Sequence, residues 1–264
     1  MTACSEQSAT GSQRPTAVVV AHPDDEALWL SSVIRSAERL VYCFGDLYER
    51  PRDSQARRRA LDALPFANKV TLAVPESGAR FCANWADPRP TPFGLEITEA
   101  AARARYEANY ARVLSGLRGC LAGCGAVHTH NPWGEYGHAE HIQVHRAVAA
   151  LQAELGYTLW CSNYVGPRSW PLARRVGAEL RWTERRSVLP DRVMARTLRG
   201  IYRRHGAWTW SSLHYWPARE TLYALAPAGA TDVGQPFTGE ALLDVARLRW
   251  WPPWPVARRR LPSA

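Results

Sequence analysis

The stretch VVVAHPDDEALWL, residues 18–30, runs from apolar residues through a cluster of ionisable side chains and back to apolar residues. Its three consecutive valines are typical of a parallel strand that is buried on both faces. Ionisable residues follow where this strand should end: His22, Asp24, Asp25 and Glu26. From residue 27 to residue 40, apolar side chains recur at helical spacing. The stretch therefore predicts a buried strand, a charged loop and a helix.

The same alternation of strand and helix continues to about residue 165. Further strands are predicted at residues 39–46, 69–74, 125–130 and 157–165. Further helices are predicted at 53–64, where Asp53 or Ser54 can cap the first turn, at 97–121, and from about 138 to 155. This order favours an α/β fold, a three-layer, Rossmann-like domain whose mostly parallel sheet has helices on both faces. Beyond about Gly166 the chain becomes rich in Trp and Arg, and we expect these segments to cover one end of the sheet.

Length and composition indicate one globular domain. The chain has 264 residues, of which 46% are hydrophobic and 22% charged, so it can bury a sizeable core. We predict a disordered lead-in at residues 1–15, one domain at 16–240 and a Trp/Pro/Arg-rich tail at 241–264. No apolar run reaches the roughly 18 residues of a membrane span, and the first residues lack the apolar segment of a signal peptide. With six scattered cysteines, these features predict a cytoplasmic protein whose thiols are reduced.

The formal net charge is +9 and comes almost entirely from arginine, because Lys69 is the only lysine. A basic surface favours anionic substrates, nucleic acid or an anionic membrane. The arginines are spread along the chain without a nucleic-acid-binding signature, so no nucleic-acid partner is predicted. The tail combines Trp250, Trp251 and Trp254 with arginines at 258–260, which suits a membrane interface, but its prolines prevent a regular amphipathic helix. We expect a packed tail with a basic end and keep membrane contact as the alternative; the oligomeric state is left open.

Two groups of metal-binding residue types fall at the same edge of the predicted sheet. The first is the His22 to Glu26 cluster, after the first strand. The second follows the fourth strand and comprises His128, His130, Tyr136, His138 and His141. Because the carboxyl ends of parallel strands converge on one crevice, both groups should face it. Two histidines, one carboxylate and an open position form a common catalytic zinc site. One of His138, His141 and His145, which can share one helix face, would complete it with His22 and Asp25. The alternative interpretation is that the acids begin a helix beside surface histidines.

The motifs AHPDDE, residues 21–26, and GHAEH, residues 137–141, together resemble the LmbE-like, or PIG-L, family of zinc-dependent N-deacetylases. Members of this family act on N-acetylglucosaminyl compounds such as glycolipid, thiol-cofactor and antibiotic precursors. The motifs, their separation and their strand–helix context agree over about residues 16–165. The resemblance implies a hydrolase of linear amides, cleaving C–N bonds other than peptide bonds, with Zn²⁺ or another divalent metal such as Fe²⁺ as cofactor.

The resemblance also implies roles for particular side chains. The metal ligands that it implies are His22, Asp25 and His141. Asp24 matches the general base that takes a proton from the attacking water, and His138 matches the histidine that stabilises the oxyanion or protonates the leaving amine. Tyr136 lies where some members carry a tyrosine that assists the carbonyl oxygen.

This chain departs from the family pattern at two places. Glu140 replaces the usual Asp of the second motif, and it can still serve as an acid at a helix start or behind a ligand. The second helix lacks the Arg and Glu that often open it, so Arg52 or Arg57 is expected to contact the substrate. Aromatic faces suit sugar rings, and Trp85 is expected at the wall of the crevice.

The function that these features predict is removal of an acetyl or other acyl group from the amide nitrogen of an N-acetylglucosamine-type sugar or glycoconjugate. Two alternatives stay open. The first is an amidohydrolase of the same fold that acts on a nonsugar amide or a thiol conjugate. The second is a noncatalytic member that only binds sugar or metal, against which the intact set of site residues argues.

Overall fold

The structure is a computed structural model that describes residues 14–211, 213–227, 229–230, 233–239 and 242–248. Most of the predicted lead-in and the tail from residue 249 onward, including its tryptophans and arginines, lie outside the described residues. The strands are β1 (Thr16–Val20), β2 (Arg39–Asp46), β3 (Lys69–Pro75), β4 (Pro90–Thr91), β5 (Gly94–Leu95), β6 (Ala126–Thr129), β7 (Thr158–Ser162), β8 (Tyr164–Val165), β9 (Arg181–Val188), β10 (Glu220–Leu225), β11 (Gln235–Pro236) and β12 (Leu243–Asp244). The helices are α1 (Asp25–Trp29), α2 (Pro51–Ala63), α3 (Ala100–Leu121), α4 (Ala139–Leu155), α5 (Trp170–Gly177) and α6 (Arg192–Arg204).

Eight of these strands form one sheet in the order β11-β9-β10-β7-β6-β1-β2-β3. The five strands β7, β6, β1, β2 and β3 are parallel to one another, as the strand–helix alternation predicts. The remaining three are antiparallel and extend the β7 edge. The expectation that the chain beyond residue 166 covers one end of the sheet is therefore wrong for these strands, which add to the edge of the sheet and widen it.

Helices pack on both faces of the sheet, which confirms the predicted three-layer architecture. Successive residues of a strand point to opposite faces. Val18 and Val20 accordingly pack with α1, α2 and α6, whereas Ala17 and Val19 pack with α3 and α4. All four side chains are fully buried, and each buried valine contributes roughly 1.5 to 3 kcal/mol to folding. Burial of β1 on both faces fixes the position of the residues that follow it.

Three helix predictions differ from the structure, one of them because α3 begins at Ala100, three residues later than predicted and directly after its N-cap Glu99. The helix predicted from residue 27 to residue 40 is wrong: α1 ends at Trp29, and only a 3-10 turn at Ile34–Ser36 follows. Two serines and β-branched residues after Leu30 have weak helix propensity, which explains the early end. Helix α2 begins two residues earlier than predicted, because Pro51 supplies the fixed φ that suits a first helical position. Ser54 does not cap it; its hydroxyl donates to the Arg50 carbonyl at 2.9 Å.

Among the described residues, no helix is both long enough and apolar enough to cross a membrane. The carboxyl ends of β1 and β6 lie side by side, since Val18 pairs with His128 in parallel register. The loops after these two strands carry the two motifs of the sequence. The topology therefore brings the motifs together at one edge of the sheet.

Candidate metal centre and active-site cavity

A cavity of about 550 Å³ opens at the carboxyl end of β1. Its walls come from residues 47–57, residues 76–82 and residues 206–210, the last of which lie in the loop after α6. Its floor carries the chemistry-bearing side chains His22, Asp24, Asp25 and His138, with Tyr136 beside them. The volume is within the range of pockets that bind small organic ligands.

His22 and Asp25 at this floor, together with the fully buried His141, form an equilateral triangle of potential ligand atoms. His22 Nδ1, His141 Nε2 and Asp25 Oδ2 lie 3.3 Å from one another along each edge. Ligands about 2.0 to 2.1 Å from a tetrahedral zinc ion are separated by about 3.3 to 3.4 Å. All three side chains are almost completely buried. The donor set and its spacing therefore fit a divalent ion with one open position.

Each of the two histidines is held by a carboxylate on its opposite nitrogen. Glu140 Oε2 lies 3.0 Å from His22 Nε2, and Glu135 Oε2 lies 2.7 Å from His141 Nδ1. A carboxylate on one ring nitrogen fixes the tautomer, so the other nitrogen presents its lone pair. The geometry thus directs His22 Nδ1 and His141 Nε2 toward Asp25. Glu140, the departure from the family motif, is itself held by the Ser77 N–H at 2.6 Å and its hydroxyl at 2.7 Å.

The surroundings of His22 attract positive charge. Burial by itself lowers the pKa of this histidine, but the carboxylates of Glu76, Asp25 and Glu140 outweigh burial and raise the pKa to about 10. The same three carboxylates would stabilise a divalent cation at this place. Other overlapping groups within reach of one ion are His22, His138 and His141; Asp25, His130 and His141; and His22, Glu76 and Glu140.

His130, which the sequence analysis left without a role, supports the site. The Ala21 N–H donates to His130 Nε2 at 2.8 Å, so this nitrogen has its lone pair engaged. Its Nδ1 lies 3.0 Å from Glu135 Oε2. His130 therefore ties the end of β1 to the carboxylate behind His141, and its Nε2 is less suited to bind metal than that of His141. No feature of local spacing reveals this contact, because Ala21 and His130 are 109 residues apart.

The loop that carries Glu135 has a backbone that few residues tolerate. Glu135 has φ +48° and Gly134 has φ +69°. A Cβ at Gly134 would lie 2.6 Å from the His138 carbonyl oxygen. Glu135 is fixed further by the Asn131 N–H, which donates to its Oε1 at 3.0 Å. This tight loop sets the carboxylate under His141.

Asp24 occupies the strained position before α1, with φ +99°. Such a left-handed conformation in a residue other than glycine is costly and is concentrated at functional sites. Its Oδ2 accepts from the Thr209 N–H at 3.0 Å and from the Thr209 hydroxyl at 2.8 Å. Burial and the neighbouring Asp25 carboxylate raise the pKa of Asp24 to about 7, although Thr209 and Arg57 oppose the rise. A carboxyl group of this kind suits proton transfer near neutral pH.

Glu26 holds the strained backbone in place. Its Oε2 accepts from the Asp24 N–H at 3.1 Å, and its Oε1 accepts from the Tyr202 hydroxyl at 2.7 Å. The side chain of Asp24 makes no helix-capping bond, and that of Asp25 accepts from the His22 N–H at 2.8 Å. The acids of the first motif are therefore engaged in site contacts more than in capping α1.

His138 precedes α4 and faces the cavity. The Glu140 N–H donates to its Nδ1 at 3.3 Å, which leaves the ring proton on Nε2. Burial and the positive charge of His22 lower the pKa of His138 well below its usual value, so the ring is neutral and Nε2–H is a donor. The Tyr136 ring lies 5.9 Å from the His138 ring, and burial raises the pKa of its phenol well above the usual value. Both groups can donate a hydrogen bond at the cavity floor.

The residues predicted to bind substrate are placed differently from one another. Arg57 is buried, lines the cavity and bonds to Glu76 Oε1 through Nη1 at 2.5 Å. Arg52 is exposed on α2 and is not part of the cavity wall. Trp85 is also outside the wall, and its ring centre lies 4.9 Å from the Arg168 guanidinium. Aromatic side chains that do line the wall are Tyr48, Phe81, Trp208 and Trp210. The catalytic, metal-ligand and substrate-contact roles of all these residues stay predictions.

Solved structures with a similar fold include several deacetylases. A deacetylase–teicoplanin complex from teicoplanin biosynthesis has a TM-score of 0.54 and 12% identity and covers 82% of this chain and 100% of its own. The zinc-inhibited form of teicoplanin deacetylase Orf2 has a TM-score of 0.54 and 13% identity, and a deacetylase–bog complex of the same pathway has a TM-score of 0.55 and 14% identity. Each covers 82% of this chain and 100% of its own. At identities this low the similarity establishes the fold. Neither a protein-family model nor a curated protein sequence matches the chain.

Proposed function

We propose that the chain is a zinc-dependent N-deacetylase of the LmbE-like, or PIG-L, family, which removes an acetyl group from an N-acetylglucosamine-type sugar or glycoconjugate. The observation that carries the proposal is the triangle of His22, Asp25 and His141, with Asp24 and His138 beside it on the same cavity floor. The two sequence motifs that resemble this family supply all five residues. The similar solved structures are deacetylases, and one is described as zinc-inhibited.

Amide hydrolysis has two difficulties, a weak nucleophile and a poor leaving group. A divalent ion at the triangle would supply Lewis-acid polarisation of the carbonyl and a lowered pKa for the attacking water. Asp24 accepts one proton from that water as the water oxygen bonds to the carbonyl carbon. The hydrogen bonds from Thr209 hold the carboxylate for this step. Asp24 thus addresses the weak nucleophile.

Negative charge develops on the former carbonyl oxygen when water adds. The neutral His138 ring offers its Nε2–H to this oxygen, and the Tyr136 hydroxyl offers a second donor from the same side of the floor. When the C–N bond breaks, the proton held by Asp24 passes to the departing nitrogen. The products are a carboxylic acid and a free amine, and the acid then loses its proton to the solvent. Of the two roles that the resemblance implies for His138, this mechanism uses stabilisation of the oxyanion by a neutral ring and gives protonation of the leaving amine to Asp24.

The cavity walls suit a sugar ring. Phe81 is 83% exposed at the rim, and Trp208 and Trp210 line the other part of the wall. Aromatic faces pack against the apolar faces of pyranose rings, and the wall also offers Arg57 and Arg80 for hydroxyl or anionic groups. These contacts support a glycoside-type substrate over a small aliphatic amide.

Acetate release from N-acetylglucosaminides, compared with a panel of nonsugar amides and thiol conjugates, tests the proposal. We expect acetate from the sugars, loss of turnover with retained zinc in Asp24→Asn, and loss of zinc in His141→Ala. Glu107→Gln, an exposed change on α3, is the matched control. Hydrolysis of nonsugar amides alone would contradict the sugar assignment, and sugar binding without hydrolysis would identify a noncatalytic protein. Normal turnover in zinc-loaded Asp24→Asn would remove Asp24 as the base.

A further inference from the structure

A second cavity, of about 390 Å³, lies beside α6 and outside the candidate active site. Its lining consists of three arginines and three ring-bearing residues: Arg192, Arg196, Arg199, His214, Tyr215 and Trp216. The arginines are spaced i, i+4 and i+7, so they lie along one face of the helix. No part of the deacetylation mechanism uses this cavity.

The local charge is strongly positive. Residues 190–219 contain the six arginines 192, 196, 199, 203, 204 and 219 but only one acid, Asp191. Asp191 is already engaged by Arg35 and by the Met194 N–H at 2.9 Å. Among the described residues, no carboxylate forms an ion pair with Arg192, Arg196 or Arg199. Burial and the like charges of Arg203 and Arg196 lower the pKa of Arg199. The cluster therefore lacks a counter-charge within this part of the chain.

Two of the guanidinium groups are held in place by backbone carbonyls. Arg192 Nη2 donates to the Pro217 carbonyl at 2.7 Å, and Arg199 Nη1 donates to the His214 carbonyl at 3.0 Å. The Arg199 guanidinium also lies 5.2 Å from the Trp216 ring centre, and Trp216 is anchored to the Ala27 carbonyl at 2.6 Å. Each guanidinium has five N–H donors, so most remain for a ligand. The cavity is pre-organised for an acceptor-rich group.

We propose that this cavity binds the phosphate group of a phosphate ester or diphosphate. A carboxylate is satisfied by one guanidinium fork, whereas a tetrahedral dianion accepts hydrogen bonds from several forks at once. Tyr215, half exposed at the cavity, offers a face for the organic part of the ligand. The phosphate belongs either to a soluble molecule or to a lipid headgroup, and the chemistry of recognition is the same for both.

Calorimetric titration of the full, metal-loaded chain with inorganic pyrophosphate at constant ionic strength tests the site. We expect saturable binding that Arg196→Glu weakens about tenfold or more, as loss of a charge-assisted contact does. Within the described part of the chain, Arg196 is exposed and forms no hydrogen bond or ion pair that the substitution would remove, and Arg196→Gln provides a second variant without charge reversal. Arg59→Glu, on the exposed face of α2, is the control for net charge.

Two results would overturn the proposal: no saturable binding by the unaltered chain, or equal affinities in Arg196→Glu and Arg59→Glu. Equal affinities would also assign any binding to the metal centre or to general charge. Glucose 6-phosphate and vesicles containing phosphatidic acid then separate the two sources. Arg196-dependent binding of the soluble ester identifies a small-molecule site, and Arg196-dependent binding of the vesicles alone identifies a lipid phosphate. Because acetate release is not measured, the outcome is independent of the proposed deacetylase activity.

Discussion

Replacing Glu135 by glutamine should weaken metal binding without changing any of the three proposed ligands. Burial raises the pKa of Glu135, but His130 and His141 outweigh burial and lower the pKa to about 2, so this side chain is a carboxylate. Its Oε2 accepts from His141 Nδ1 at 2.7 Å and from His130 Nδ1 at 3.0 Å. Its Oε1 accepts from the Asn131 N–H at 3.0 Å. Both oxygens act as acceptors only.

A glutamine cannot satisfy these contacts in either orientation. If its oxygen accepts from the Asn131 N–H, its NH₂ group faces His141 Nδ1, and the histidine proton must move to Nε2. That nitrogen is the one that faces Asp25 in the triangle, so a protonated Nε2 cannot bind metal. If the amide is turned over, its NH₂ group faces the Asn131 N–H, and two buried donors oppose each other.

We expect the zinc affinity to fall about 10- to 100-fold, as it does when a carboxylate behind a histidine ligand is lost. This range corresponds to a loss of about 1.4 to 2.7 kcal/mol in the free energy of zinc binding. Competition with a chromophoric chelator at neutral pH measures the change. Glu220→Gln is the control, because Glu220 is also buried but lies at the start of β10. A folded Glu135→Gln that binds zinc as tightly as the unaltered chain would refute the assigned role of Glu135.

Three further predictions concern the base, a buried acid and the metal. Thr209→Val removes the 2.8 Å hydrogen bond from the Thr209 hydroxyl to Asp24. Because a hydrogen bond to a charged group contributes about 1.5 kcal/mol, kcat should fall about tenfold, whereas Thr209→Ser should retain activity. Burial raises the pKa of Glu220 from 4.5 to about 7, although Ser32 and Tyr164 oppose the rise; the folded state therefore loses stability as the pH rises from 4.5 to 7. In denaturant titrations, the free energy of unfolding of Glu220→Gln should rise by about 3 kcal/mol relative to that of the unaltered chain between pH 4.5 and pH 7. Chelation should abolish turnover and lower the free energy of unfolding by about 4 kcal/mol relative to metal at a thousand times its Kd, and added zinc should restore both.

A different result would contradict each of these three predictions. Equal kcat values for Thr209→Val and Thr209→Ser would show that the hydroxyl does not hold Asp24. A stability difference between Glu220→Gln and the unaltered chain that is constant from pH 4.5 to 7 would show that Glu220 does not titrate there. Turnover that survives complete chelation would contradict metal dependence.

The sequence predicts well those features that depend on neighbouring residues. Strands β1, β2 and β3 are short apolar runs between polar segments, and their positions agree with the structure to within two residues. The mostly parallel order follows from the helices between them. Helix α1 was overestimated because apolar spacing persists beyond Trp29, although the backbone there turns away from helical geometry. Spacing reports the side chains and not the hydrogen bonds of the backbone.

The candidate site was predictable only in part, for a related reason. The resemblance supplied His22, Asp25 and His141, which the structure brings within 3.3 Å of one another. The contacts of Thr209 with Asp24 join residues 185 positions apart, and no local pattern indicates them. Arg52 and Arg57 illustrate the same limit within one helix, since only the direction of each side chain separates the exposed residue from the one in the cavity wall.

The long separation between Asp24 and Thr209 has a consequence for how the site is completed during synthesis. All three proposed metal ligands are present once residue 141 has been synthesised, but the hydrogen bonds that hold Asp24 need residue 209. Chains that stop between these points carry the residues to capture an ion but lack the support for the base. Under the proposed function, translation therefore supplies all three proposed metal ligands before it supplies the residue that supports the proposed base.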